Sequence, residues 1–473
     1  MSKKLLKSVA IYGVGSTVSK VVNLFLIPVY TRVFSPEDYG IIDVLWTVSA
    51  FGSILAMLQL ESAVARFYFE SATKGSRKEL ISTAFWTIVL FSSVVLVVSL
   101  FASTSLSFLL FGTGAYSKEL FLAMATVPFS SIFAFLTIII RFENKPLLFS
   151  IVTILQLIFS VAISILLVVF LKWGIVGVFY GQLIGNLLGF VISYIRFRDL
   201  FSFMIKVDLL KVMLRFSLPL TPAVAINYFQ SYGNRFVMLG YLSLADIGLS
   251  SVAVKLTSVF KLLESAFRMA WPPFFWETFE NPKHKEIYRS LFKQVTLATL
   301  FLVVLFSCFS KELLAIFVPP NYWQVNSIMG CLALAMGLNI IVQLVSPGPD
   351  IAKKTYLNTV IYCISTVVSL GFLFLLTPRI GLVGVAVAQL LGVLTTIMLF
   401  WYVSEKLYFI GFDVSFFVEL LLGSLSIIIF LFLMNLSLVY RSILIAIVMG
   451  LLYMKVRNSY LFSMVKKSMA KVF

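Results

Sequence analysis

The chain has 473 residues, 60% of them hydrophobic and only 12% charged, and its mean hydropathy is +1.03. Those values lie far outside the range of soluble domains and define an integral membrane protein. The formal net charge of +17 is spread as small basic clusters between apolar stretches, which argues against a nucleic-acid surface and suits the lysine/arginine bias of a polytopic protein.

The N-terminus, Met1-Ser2-Lys3-Lys4-Leu5-Leu6-Lys7, has the basic start of a signal peptide. The apolar run after it is too long and lacks a small-residue cleavage site, so it reads as an uncleaved first span. Apolar stretches of about 20 residues match a hydrocarbon core of about 30 Å. Fourteen spans are expected. Six fall in the first half, at 9–31, 41–64, 81–101, 120–140, 147–171 and 175–195. Six follow in the second half, at 216–242, 248–267, 295–310, 325–345, 356–376 and 382–403. Two more lie at 414–433 and 438–454. The longest polar interval, Trp271 to Arg289, is too short for a folded soluble domain. The three cysteines, Cys308, Cys331 and Cys363, fall in apolar spans and imply no disulfide framework. The lone histidine, His284, stands in a polar interval with no metal-type neighbour at a recognisable spacing, so neither a metal site nor another cofactor is expected.

Counting lysine and arginine in alternate loops gives 27 on the side of the N-terminus and six on the other: Arg32, Lys118, Lys172, Lys311, Arg379 and Arg441. Both termini are therefore expected in the cytoplasm.

Two segments 207 residues apart are nearly alike: Gly174 to Gly185 reads GIVGVFYGQLIG and Gly381 to Gly392 reads GLVGVAVAQLLG, with seven of twelve positions identical. A second pair, Ser35-Pro36-Glu37-Asp38-Tyr39-Gly40 and Ser243-Leu244-Ala245-Asp246-Ile247-Gly248, is offset by 208. An internal repeat in a hydrophobic chain points to a carrier built from two related halves. Six spans separate the copies, so both halves enter the membrane in the same sense and should be related by an axis along the membrane normal. The expected fold is all-α: two parallel-related six-helix lobes around a central cavity, residues 1–205 and 206–404, plus two C-terminal helices and a basic tail at 405–473.

Four basic residues remain inside spans once the loops are counted: Lys20, Arg235, Lys255 and Lys261. Each costs about 2.5–3.5 kcal/mol at a helix centre on insertion scales, so they should face water or a partner. Tyr12, Ser16, Lys20 and Asn23 share one face of span one, and Asn227, Gln230, Ser231, Asn234 and Arg235 form a polar strip on span seven. These strips suit opposite walls of one cavity. Lys261 has Glu264 one turn on, and Glu61 has Arg66 as an expected partner near the end of span two. Asp43, near the start of span two, is expected either to pair with Lys20 or to carry a coupling proton. Glu61 and Glu264 are the other acids able to couple an ion. A cavity of mostly positive sign selects anions, and lysine and arginine donate charge-assisted hydrogen bonds to phosphate oxygens. Pro28 in span one is a candidate hinge.

Several motifs resemble the polysaccharide-transporter branch of the multidrug/oligosaccharidyl-lipid/polysaccharide flippase superfamily, which includes the Wzx-type O-antigen flippases. They are Phe34-Ser35-Pro36-Glu37-Asp38-Tyr39-Gly40, Leu60-Glu61-Ser62-Ala63-Val64-Ala65-Arg66-Phe67-Tyr68, Leu218-Pro219-Leu220-Thr221-Pro222 with Asn234-Arg235, Trp271-Pro272-Pro273 and both Gly-x-Val-Gly turns. The resemblance implies a non-enzymatic carrier of the bacterial cytoplasmic membrane. It would move an undecaprenyl-pyrophosphate-linked oligosaccharide, an O-antigen or capsule-type unit, to the outer leaflet by alternating access. It further implies an ion gradient, H+ or Na+, as the drive, a monomer, and polysaccharide assembly proteins as partners. The family often has Asp where this chain has Asn234. Two alternatives stand beside this reading: a cation-coupled multidrug exporter on the same scaffold, and a polytopic polymerase or glycosyltransferase. The second would need catalytic carboxylates in a sizeable outer loop, and only Glu37, Asp38, Glu119, Asp246 and Glu312 lie in such loops.

Overall fold

The computed structural model describes residues 22, 24–70, 73–434, 440, 441 and 443, apart from the side chains of residues 223, 227, 230 and 231. Among the described residues the chain is helical throughout, and nine helical stretches are long and apolar enough to cross a membrane. It divides into two compact units, Met1–Gly248 and Leu249–Phe473.

The first unit contains α1 (Leu24–Val33), α2 (Pro36–Met57), α3 (Leu60–Glu70), α4 (Lys74–Phe111), α5 (Ser117–Phe142), α6 (Pro146–Ile165) and α7 (Ile175–Phe197). It continues with α8 (Val207–Ser217), α9 (Thr221–Tyr232), α10 (Asn234–Tyr241) and the start of α11 (Leu244–Thr257). Span two is broken where Leu58 and Gln59 turn left-handed, with φ of 45° and 57°. Span seven is broken at Gly233, between α9 and α10.

Polarity in α4 is arranged inside out. Ser92, Ser99, Ser103 and Ser107 are buried, while Val94, Val97, Val98, Phe101 and Leu109 are exposed. In hydrocarbon the apolar face costs nothing outside, and small hydroxyl residues allow neighbouring helices to approach. The same logic packs α6 against α7. A Cβ on Gly185 would lie 2.5 Å from Ser160 Cβ, and one on Gly181 would fall on the Ser164 hydroxyl. Apolar side chains fill two clusters, one around Leu60, Phe85, Phe135, Ile139 and Met213, the other around Ile41, Leu45, Ala123 and Phe179.

The second unit comprises the rest of α11, then α12 (Val259–Phe279), α13 (His284–Cys308), α14 (Ser310–Phe317), α15 (Asn326–Val345), α16 (Pro347–Ile351), α17 (Tyr356–Leu407) and α18 (Val414–Leu433). The interval Trp271 to Arg289, expected as a loop, is helical over most of its length. α12 continues through Pro272 and Pro273, and Trp271, Phe275 and Tyr288 are buried in one aromatic cluster. Aromatic burial outweighs the local polarity that suggested a loop. α17 holds spans eleven and twelve, with a sharp kink at Ile380 and Gly381.

That kink reproduces the first copy of the repeat. Gly174 has φ 62° and ψ −144°, and Gly381 has φ 59° and ψ −136°. Side chains other than glycine are strained there by about 1–3 kcal/mol. Gly174→Ala and Gly381→Ala should therefore each lower stability by that amount, whereas Gly371→Ala should not. Thermal melting of the detergent-solubilised protein checks this.

The loop between α17 and α18 is clasped to α13. The Glu405 carboxylate accepts from the backbone N–H groups of Ile410, Gly411 and Phe412, and Arg289 Nε donates to Ile410 O at 2.6 Å. Asp413 caps α18 through Phe416 N and accepts from Lys293 Nζ at 2.6 Å. The Lys293 hydrogen bond, then the Phe416 N–H and the Ser415 hydroxyl, lower the Asp413 pKa from 3.8 to about 2. A lowered carboxylate pKa stabilises the fold above the unfolded value and loses that contribution as pH falls through the folded one. The window is thus from about pH 4 down to about pH 2. Asp413→Asn keeps the cap and should flatten the fall in melting temperature between those pH values.

Candidate functional site

Each copy of the Ser-x-x-Asp-x-Gly motif opens a helix. In the first copy Asp38 N donates to Ser35 Oγ at 3.1 Å, and Ser35 N donates to Asp38 Oδ2 at 3.1 Å. In the second, Asp246 N and Ser243 Oγ, and Ser243 N and Asp246 Oδ2, are joined at the same 3.1 Å. These reciprocal caps satisfy amide groups that would otherwise be stranded at the helix starts.

The two helices cross at the glycines that end the motifs. A Cβ on Gly40 would fall on the carbonyl oxygen of Leu244, and one on Gly248 on the carbonyl oxygen of Pro36. The contact is reciprocal, backbone against backbone. Only glycine permits it, because a carbonyl cannot rotate aside as a side chain can.

One turn along α2 from Gly40 stands Asp43. Its Oδ2 accepts from Arg235 Nε at 2.8 Å, and both residues are buried, with 7% and 4% of their surface exposed. Arg235 also donates from an NH group to Asn234 Oδ1 at 2.7 Å, and its guanidinium lies 5.9 Å from the Tyr232 ring. The break at Gly233 starts α10 afresh and positions Asn234 and Arg235 in its first turn. Phe51 anchors the same helices, 6.3 Å from the Phe229 ring and 5.7 Å from the Phe236 ring. A buried ion pair of this kind roughly balances its desolvation cost while complete, but strands a charge when one partner is withdrawn.

Among the expected site residues, Asp43, Asn234 and Arg235 come together. The two partners expected for Asp43 were Lys20 and a proton, and the partner found is Arg235, 192 residues away in sequence. Ser16, Lys20 and Asn23 lie outside the described residues, as do the side chains of Asn227 and Gln230. Lys255 stands in the last turn of α11, and Lys261 and Glu264 in the first turns of α12, all in the second unit. Between them Ser258 Oγ donates to Lys255 O at 2.6 Å. Pro28 lies within α1, which continues helical on both sides of it.

The expected pairing of Glu61 with Arg66 is not the one formed. Arg66 pairs with Glu70 at 3.9 Å and lies 5.2 Å from the Phe216 ring. Residues four apart share a helix face and residues five apart do not. Glu61 follows the left-handed break, and its Oε2 is buried with no hydrogen-bond partner. The sequence reading also missed Trp46 and Gln182, joined at 3.2 Å between α2 and α7, and the partner of Arg441. Arg441 is buried and held in a two-pronged pair with Glu312 at 2.6 and 2.9 Å.

The fold is that of membrane transporters. The structure of a lipid II flippase, MurJ, in an inward closed conformation superimposes with a TM-score of 0.73 at 16% identity, over 95% of this chain and 99% of that one. An inward-facing multidrug-resistance MATE family transporter of the MOP superfamily gives 0.64 at 16% identity, over 83% and 95%. An outward-facing MATE transporter gives 0.54 at 14% identity, over 86% and 97%. No curated protein matches in sequence. Residues 5–279, more than half of the chain, match the family of polysaccharide biosynthesis proteins, and the chain belongs to that family.

Proposed function

We propose that the protein is a flippase that carries an undecaprenyl-pyrophosphate-linked oligosaccharide from the inner to the outer leaflet of a bacterial cytoplasmic membrane. Membership of a polysaccharide biosynthesis family and a fold shared with a lipid II flippase support the class of cargo. The single observation that carries the mechanism is the Asp43–Arg235 pair. It joins the first repeat copy, through α2, to the second copy, through α10. Alternating access requires contacts between the copies that break and re-form, and a buried charge pair does so only if something replaces the lost partner.

In this reading the pyrophosphate replaces Asp43. Lys20 draws the anionic head group in, Arg235 exchanges its carboxylate for phosphate oxygens, and the copies separate. Ser16, Asn23, Asn227, Gln230 and Asn234 supply neutral hydrogen bonds, and Pro28 bends span one. Asp43, once released, takes up H+ or Na+, and Glu61, whose Oε2 already lacks a partner, is a second acceptor. Glu264 is the third acid available. Both termini are cytoplasmic in this orientation.

Deletion tests the reading: lipid-linked oligosaccharide should accumulate in the inner leaflet. Lys20→Ala should abolish surface polysaccharide at normal protein level, Arg235→Ala should abolish it per molecule of protein present, and Glu61→Gln should remove its dependence on the ion gradient. Unchanged export in the lysine and arginine variants would remove the site assignment. The MATE likeness supports one competing reading, a cation-coupled drug exporter. Only that reading has the deletion sensitise cells across a panel of cationic drugs.

A further inference from the structure

A second polar site lies in the other unit, apart from the charges discussed above. The end of α13, the start of α14, the first turn of α15 and the end of α18 enclose a pocket with Arg441. Its cavity volume is about 30 Å³, a small recess that opens to the outside. Its lining combines polar residues, among them Ser307, Ser310, Lys311, Asn326 and Arg441, with apolar ones from the end of α18, among them Phe432 and Met434.

Arg441 is the unusual member. Its side chain is 9% exposed, and its NH groups are spent on Glu312 and on the Cys308 carbonyl at 2.7 Å. Its Nε–H is buried and has no acceptor among the described residues. A stranded donor on a buried guanidinium is costly to leave unmet, and an oxygen of a bound ligand would meet it. Around it, Ser310 donates to Asn326 Oδ1 at 2.6 Å, which turns the Asn326 amide nitrogen away from Ser310 as a further donor. Among the described residues the charged members of the lining are Lys311 and Arg441, both basic, and Glu312 pairs with Arg441. The start of a 20-residue helix, α15, adds its positive dipole end.

The apolar part of the lining decides the kind of anion. Phe432 and Met434 are more than half exposed on the outer surface of an apolar span, where lipid chains run. A free anion has no use for such a wall, and a phospholipid does: its chains follow α18 while its phosphate enters the pocket. We propose that this pocket is a binding site for the phosphate of an anionic membrane lipid, with Arg441 Nε–H as the donor and Lys311 as the rim charge.

Native mass spectrometry of the full chain in detergent tests it, with phosphatidylglycerol, phosphatidylcholine of the same chains, and inorganic phosphate as probes. Phosphatidylglycerol should be retained about tenfold more tightly than phosphatidylcholine, a difference of ~1.4 kcal/mol. Arg441→Lys keeps a charge opposite Glu312 but removes Nε–H, and should bring the two lipids level. Gly330→Ala provides an uncharged second test, since its Cβ would lie 2.8 Å from Ile428 and 3.1 Å from Ser307 Oγ and so narrows the pocket. It too should level the lipids, with the melting temperature of lipid-free protein held within a few degrees. Equal retention by the unmodified protein, or full preference in Gly330→Ala, would overturn the proposal. Protection by inorganic phosphate matching that by phosphatidylglycerol would overturn its assignment to a lipid.

Discussion

Arg235→Ala is expected to destabilise the protein by about 3–5 kcal/mol, because it leaves Asp43 buried and charged without its partner. Asp43→Ala should cost a similar amount by stranding Arg235, reduced by whatever the Asn234 carbonyl recovers. The double replacement Asp43→Leu with Arg235→Met removes both charges and fills their volume. It should return stability to within about 1 kcal/mol of the original, or exceed it, as apolar substitutes for buried ion pairs often do. Transport should not return with it. Melting curves in detergent paired with surface polysaccharide in complemented cells separate the two effects. Recovery of both by the double variant would show that the pair serves the fold and not the transport cycle.

The second large effect is expected at the helix crossing. Gly40→Ala and Gly248→Ala each place a methyl group on a carbonyl oxygen of the opposite backbone, so relief requires moving a whole helix. Overpacking of this sort costs about 1–3 kcal/mol, and more where side-chain adjustment is impossible. The two sites form one contact. Once the first substitution has pushed the helices apart, the second meets less resistance, and the double variant should cost clearly less than the sum. Additive losses in melting experiments would show that the two glycines act separately.

Much of this was readable from residue types. The serine, aspartate and glycine of the duplicated motif each have a local task, a cap, its reciprocal partner and a close approach, so similar letters gave the same geometry twice. Gly174 and Gly381 are of the same kind, since one backbone conformation demands one residue. The apolar run Val414–Leu433 matched its helix at both ends, being bounded by an aspartate cap and a change of composition. What escaped depends on partners distant in sequence. Nothing near Asp43 announces Arg235, and nothing near Arg441 announces Glu312, 129 residues earlier. Trp271 to Arg289 misled for a related reason. Its charges are spread along two helices, whereas Trp271, Phe275 and Tyr288 mark the buried face, and average hydropathy merges the two.

The crossing at Gly40 and Gly248 has the form of an isologous dimer interface, in which residue i meets j and j meets i. A half-length ancestor pairing with its own twin would need a single motif to make the whole contact. Once both halves share one chain, that contact still obliges the two motifs to stay alike, while neighbouring positions are released from the obligation. Asp43 and Arg235 occupy such released positions: 208 residues away their counterparts are Ser251 and Ile27, both buried and neither charged. Two identical subunits would have had to carry this ion pair twice or not at all. Fusion allows it once, beside a contact that remains symmetric.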